Sequence, residues 1–212
     1  LKLKKSEHHY KFTMDKKTTV TFRPYNMGDV VILDGKGYNY LFIISGENTK
    51  ITFNDITFRN GGDGSLASDG GAIRIIHGSV TFNNCIFDNN EAGKNIAGGF
   101  GWGGAIFLDE SDASLIANNC QFTNNNADNG GGAVYVEDGA SATFENCYFD
   151  GNKANGNISL AERGIIVLDE VDKIIDSVNG ACTRINAELV AMLRKFCGRK
   201  MITIPVSKDM FY

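Results

Sequence analysis

Over residues 78–90 the apolar residues Val80, Phe82, Cys85 and Phe87 alternate with Thr81, Asn83, Ile86 and Asp88. A period of two over three to six residues, interrupted by Asn, Asp and Gly, predicts short strands with one buried face rather than a helix. The Asn83-Asn84 pair makes the corner that lets both halves point inward. The same pattern returns as Leu115, Ala117, Cys120 and Phe122 in 113–125, and as Ala142, Phe144, Cys147 and Phe149 in 140–152. Each unit follows a Gly-Gly-Ala element: Gly70-Gly71-Ala72-Ile73, Gly103-Gly104-Ala105-Ile106 and Gly131-Gly132-Ala133-Val134. A weaker copy, TKITFNDITFRNG, occupies 49–61.

The second glycines of the element are 33 and 28 residues apart, and the motif cysteines 35 and 27. A unit of about 28 residues has no face of its own to bury, so it must stack on its neighbours. The prediction is an all-β, parallel, right-handed β-helix solenoid of about four to five coils spaced roughly 4.8 Å apart. Stacking turns repeat positions into columns. Asn84, Asn119 and Asn146 form a corner ladder that Asp55 begins as an acceptor; Cys85, Cys120 and Cys147 form a buried column, and Phe87, Phe122 and Phe149 a third.

The paired motifs are Ala72-Ile73 with Phe87 to Asn90, Ala105-Ile106 with Phe122 to Asn125, and Ala133-Val134 with Phe149 to Asn152. This GGA[IV]…FxxN arrangement resembles the polymorphic outer membrane protein repeat of chlamydial surface autotransporters and the adhesin-like β-helix proteins of some archaea and gut bacteria. The likeness covers about residues 50–157; the first copy lacks GGA and reads Phe58, Asn60, Gly61 instead of Phe-x-x-Asn. It implies a pectin lyase-like fold and a non-catalytic passenger, at the cell surface or secreted, that contacts a host, a neighbouring cell or a glycan. Any membrane attachment would then lie in parts of a longer product.

Charge divides the chain. Residues 1–17 hold six Lys against Glu7 and Asp15, net +4; residues 18–157 are net −9, and 158–212 net +1. An acidic body lacks the clustered cations of a phosphate-tracking groove, which excludes nucleic acid as the partner of this segment. Of 25 Gly, 22 precede residue 158, as do 20 of 22 Asn. The expected organisation is a loosely ordered basic segment at 1–17, repeats at 18–157, and a last coil with a helix–strand cap or an unrelated appendage at 158–212. Apolar runs such as Val30–Leu33 and Leu41–Ile44 are far below the roughly 20 residues of a spanning helix. No signal peptide is visible, and the chain is expected to be an excerpt of a longer product.

Candidate chemistry is sparse. The cysteines have neither CxxC spacing nor a nearby His, since His8 and His9 lie in the basic segment and His77 stands alone, so no metal or other cofactor is expected. Asp88, Asp109, Glu110, Asp112 and Asp150 are the acids a polysaccharide lyase or hydrolase would draw on. Nearly all occupy turn positions, and residues 70–157 supply only Arg74, Lys94 and Lys153 as cations, so a carbohydrate-active enzyme is the alternative reading. One unit is about five residues longer than its neighbours; the extra length falls in EAGKNIAGGFGWGG at 91–104 and carries Phe100 and the single tryptophan, Trp102. These are the candidate binding residues, unless Trp102 only packs over an adjacent coil.

The segment 161–175, AERGIIVLDEVDKII, resembles the Walker B strand of P-loop ATPases, with Asp169 and Glu170 in the metal and water-activating places. A fragment of such an ATPase is a further alternative, although no GxxxxGK[ST] loop exists to cradle phosphate. Gly164–Glu170 also overlays Gly104–Glu110, which predicts one more coil. Ile185, Leu189, Met192, Leu193 and Phe196 recur at helical spacing as a covering stripe, followed by a strand at 201–206.

Overall fold

A computed structural model describes residues 2–3, 6–8, 12–63, 69–93, 101–137, 139–154, 165–168 and 202–205. The chain winds as a parallel β-solenoid with three walls. The first wall runs in the order β1 (Lys2–Leu3), β4 (Thr19–Pro24), β8 (Lys50–Asn54), β12 (Ser79–Asn83), β16 (Ser114–Asn118), β20 (Ser141–Glu145), β23 (Ile165–Leu168) and β24 (Ile202–Pro205). The second stacks β2 (Ser6–His8), β5 (Val31–Asp34), β9 (Ile56–Arg59), β13 (Ile86–Asp88), β17 (Gln121–Thr123) and β21 (Tyr148–Asp150). The third stacks β3 (Phe12–Met14), β7 (Phe42–Ile44), β11 (Ile73–Ile75), β15 (Ile106–Leu108) and β19 (Val134–Val136). A narrow strip of β14 (Glu91–Ala92), β18 (Asn126–Ala127) and β22 (Lys153–Ala154) follows the second wall, and β6 (Tyr38–Asn39) pairs antiparallel with β10 (Gly62–Asp63). Among the described residues, four complete coils span β4 to β19.

The register matches the repeat: Phe53, Phe82, Ala117 and Phe144 are successive partners in the first wall, and Phe58, Phe87, Phe122 and Phe149 in the second. Rings of the second-wall column stack face to face at 4.8, 4.8 and 4.7 Å. First-wall phenylalanines meet them edge-on, as Phe82 meets Phe87 at 5.0 Å. This alternation of offset stacks and T-shaped contacts is the favourable arrangement of ring quadrupoles. Cys85, Cys120 and Cys147 are buried and free.

The Gly-Gly-Ala element has two separate causes. Gly70, Gly103 and Gly131 take φ of +75, +66 and +64°, a region that disfavours any Cβ. Gly71 and Gly104 instead carry the next coil against them: a Cβ would lie 2.2 Å from Gly104 O and 2.1 Å from Gly132 O, respectively. The final Asn of FxxN also turns inward. Asn125 accepts at Oδ1 from the Asn90 backbone N–H, and its Nδ2 donates to Phe87 O at 3.0 Å.

The corner asparagines behave differently. Asn84, Asn119 and Asn146 are exposed and left-handed, with φ of 53, 53 and 51°. Asn84 Nδ2 donates to Asp55 Oδ1 at 3.0 Å, the acceptor expected at the start of that column. Their common property is the backbone turn, which Asn tolerates, and the buried amide ladder is the separate column Asn90, Asn125 and Asn152.

Two expectations about the ends differ from the structure. The segment 1–17 supplies β1, β2 and β3, which pair with β4, β5 and β7 and carry the solenoid toward the start of the chain. The reason is apolar: Leu3, Phe12 and Met14 pack on the core, and Phe12 stacks on Phe42 at 4.8 Å. At the other end, residues 165–168 pair with β20 in the first wall, not with the third wall that the overlay on Gly104–Glu110 implied. Arg163 stands where the left-handed first glycine of a third-wall entry would be required. β24 then closes β23 in antiparallel fashion. Asp169, Glu170 and the stripe from Ile185 to Phe196 lie outside the described residues.

Candidate functional site

The outward side of the third wall changes character along the axis. Its central residues, in register, are Thr13, Ile43, Arg74, Phe107 and Tyr135. Although they point away from the core, Phe107 and Tyr135 are only 3% and 2% exposed. Their rings stack at 5.6 Å, and the Arg74 guanidinium lies 5.4 Å from the Phe107 centroid. Trp102 covers Tyr135, its ring tilted 48° at 4.6 Å, and its backbone bridges Gly130 of the next coil. The indole therefore packs over an adjacent coil and remains partly exposed. Phe100, its companion in the sequence reading, lies outside the described residues.

Two carboxylates border this aromatic strip. Arg74 Nε donates to Asp109 Oδ2 at 3.2 Å, and Arg74 Nη1 lies 4.0 Å from Asp69 Oδ2. Asp69 Oδ1 accepts the Trp102 backbone N–H at 3.1 Å. Burial pushes the Asp69 carboxyl above the usual carboxylate range; the Trp102 N–H and Arg74 oppose the rise, and Asp109 adds to it. Burial alone would lower the Arg74 pKa, but the hydrogen bond and charge of Asp109, helped by Asp69, raise it on balance. Phe107 and Tyr135 are thus the buried bed on which Trp102 lies, and the indole is the ring left accessible, edged by one guanidinium and two carboxylates and suited to stacking on and hydrogen-bonding a polar, flat-faced ligand.

The remaining candidate acids disperse. Asp88 accepts from Thr123 Oγ1 at 2.8 Å and from Asn124 Nδ2 at 3.0 Å on the second wall, and Asp150 stands two coils along the same column, beyond Thr123. Asp112 sits in a turn 2.7 Å from His77 Nδ1, and Glu110 is exposed beside it. A polar groove of about 390 Å³ lined by Asp34, Asn60, Asn89 and Asn124 is tied into the scaffold, because Asn60 donates to Asp34 and Asn89 to Asn60. Among the described residues, no group of three or more His, Cys, Asp or Glu is placed to hold a metal ion. Sequence reasoning missed Asp69 and Tyr135; the insertion bearing Trp102 was the available signal, but only coil stacking brings residues 33 apart together.

Residues 30–177 match the family model described as a right handed beta helix region. The chain belongs to this β-helix family. No curated protein and no solved structure matches it. For a right-handed β-helix, what distinguishes one member from another is what its walls and turns carry.

Proposed function

We propose that this β-helix is an adhesin-like, non-catalytic segment whose rigid walls present the Trp102 strip to a glycan on a host or neighbouring cell, at the cell surface or after secretion. The observation that supports this reading is the partly exposed indole held over Tyr135 by the next coil, with Arg74, Asp69 and Asp109 along its edge. An aromatic face of this kind stacks on the apolar face of a sugar, and the bordering polar groups match its hydroxyls. The surface-passenger resemblance of the GGA[IV]…FxxN repeats points the same way. Retention on a panel of immobilised polysaccharides tests it: wild type is expected to bind at least one, and Trp102→Ala to lose about tenfold in affinity, within the range for a truncated interface aromatic. Equal retention of the two proteins would sink the proposal.

One observation favours a carbohydrate-active enzyme as the second reading. Asp69 and Asp109 share Arg74, and burial raises the Asp69 carboxyl, the direction a proton donor needs. Release of shortened or unsaturated products, abolished by Asp69→Asn, is the outcome that reading requires.

A further inference from the structure

The corner between the first and second walls is one or two residues long in four successive coils, turning at Asp55, Asn84, Asn119 and Asn146. In the coil before them the same corner holds six residues, Tyr25–Val30, between β4 and β5. Tyr25, Met27 and Val30 are 53%, 102% and 58% exposed, three of the five large hydrophobics exposed among the described residues. The loop is braced: Asp29 Oδ2 accepts from Asn26 N at 3.2 Å and Nδ2 at 3.0 Å, Asp29 N donates back to Asn26 O at 3.3 Å, and Gly28 turns at φ +85°. Exposed apolar tips on a cross-braced loop are arranged for contact.

Charge identifies the partner. Lys2 and Arg23, both exposed, are direct register partners at the base of the loop. Like charges directly opposite on neighbouring strands repel, and an anionic ligand relieves the repulsion. Lys2 Nζ also lies 5.1 Å from the Tyr25 ring centroid, which holds a cation at the foot of the apolar tip. The only carboxylate in the loop, Asp29, is engaged by Asn26. Residues 1–17 are net +4, whereas 18–157 are net −9. We propose that Tyr25–Val30 docks on an anionic lipid surface, with Met27 and Val30 entering the boundary between headgroups and acyl chains and Lys2 and Arg23 meeting lipid phosphates. The acidic remainder is repelled by the same surface, so the solenoid stands away from it. A nucleic acid offers the charge but nothing for Met27 and Val30 to enter. This contact is independent of the glycan strip.

Co-sedimentation of the full chain with phosphatidylcholine vesicles, with and without about one-third phosphatidylserine, tests the proposal. Binding is expected only with the anionic lipid, weakening at high ionic strength. Met27→Ser is expected to cost about tenfold, and Lys2→Gln or Arg23→Gln about fivefold each; Val30→Ser serves as a second apolar variant, and unchanged melting curves confirm folding. Equal binding to neutral vesicles, no binding at low ionic strength, or full binding by both apolar variants overturns the proposal. So does self-association of the wild type that Met27→Ser abolishes, which assigns the loop to a second copy of the chain.

Discussion

Asn90 donates its Nδ2 proton to Asn125 Oδ1 at 2.9 Å inside the solenoid, where both residues are fully buried. Asn125 in turn donates to Asn152 Oδ1 at 2.8 Å. One side chain thereby satisfies the coil before it, the coil after it and the Phe87 carbonyl. Asn125→Ala strands several of these groups without water, so a loss of about 3 kcal/mol is expected. Equilibrium urea unfolding checks this, with Asn124→Ala, exposed one residue away, as the smaller-effect comparison.

Gly104 is among the closest approaches between coils: a Cβ there would sit 2.1 Å from Gly132 O and 2.7 Å from Asn126 N and O. Since backbone cannot step aside as a side-chain tip can, Gly104→Ala is expected to separate the coils and cost several kcal/mol or prevent folding. Circular dichroism melting against Gly28→Ala, strained in φ but open in space, separates steric contact from dihedral strain. A smaller shift for Gly104→Ala than for Gly28→Ala would contradict the packing described.

How much was legible in the sequence depended on whether a residue's role repeats. The phenylalanine and cysteine columns were legible because period-two burial and coil spacing together fix which side chains stack. The corner asparagines were legible as a column, but Asn serves both a left-handed turn and an amide ladder, and the sequence does not separate Asn84 from Asn90. The strands of residues 2–14 were obscured because they are two or three residues long among lysines, with no Gly-Gly-Ala entry. Asp69, Arg74 and Asp109 join only through stacking, so their association was not available from any local pattern.

The Cys120 thiol is pushed up to about 12: its hydrogen bond with Cys147 favours ionisation, but contact with Cys85 and burial together outweigh it. Cys147 is also raised, by its hydrogen bond to Cys120 and by burial. In a variant with Cys182 and Cys197 replaced by Ser, native protein at pH 8 is expected to react with a thiol reagent only at its unfolding rate. Rapid modification of Cys85, Cys120 or Cys147 in the native state would place that residue outside the column.

The His77 pKa is raised above its usual value, chiefly through its hydrogen bond to Asp112; desolvation opposes, and the Asp112, Glu110 and Glu47 charges add to the rise. Because the folded pKa is the higher one, the pair contributes stability fully below the unfolded value and loses it as pH rises through the folded value. The His77 ring resonance is expected to titrate at higher pH than a free imidazole and to fall back in Asp112→Asn. An identical midpoint in the two proteins would rule out the pairing.

Whether the Trp102 strip holds a glycan without transforming it is read by prolonged incubation of the chain with the polysaccharide it retains best, following bound protein and new reducing or unsaturated ends together, for wild type, Trp102→Ala and Asp69→Asn. A binding strip gives retention that depends on Trp102 and a polysaccharide of unchanged length in all three. New chain ends that appear with wild type and vanish with Asp69→Asn would contradict it and make the strip an active site.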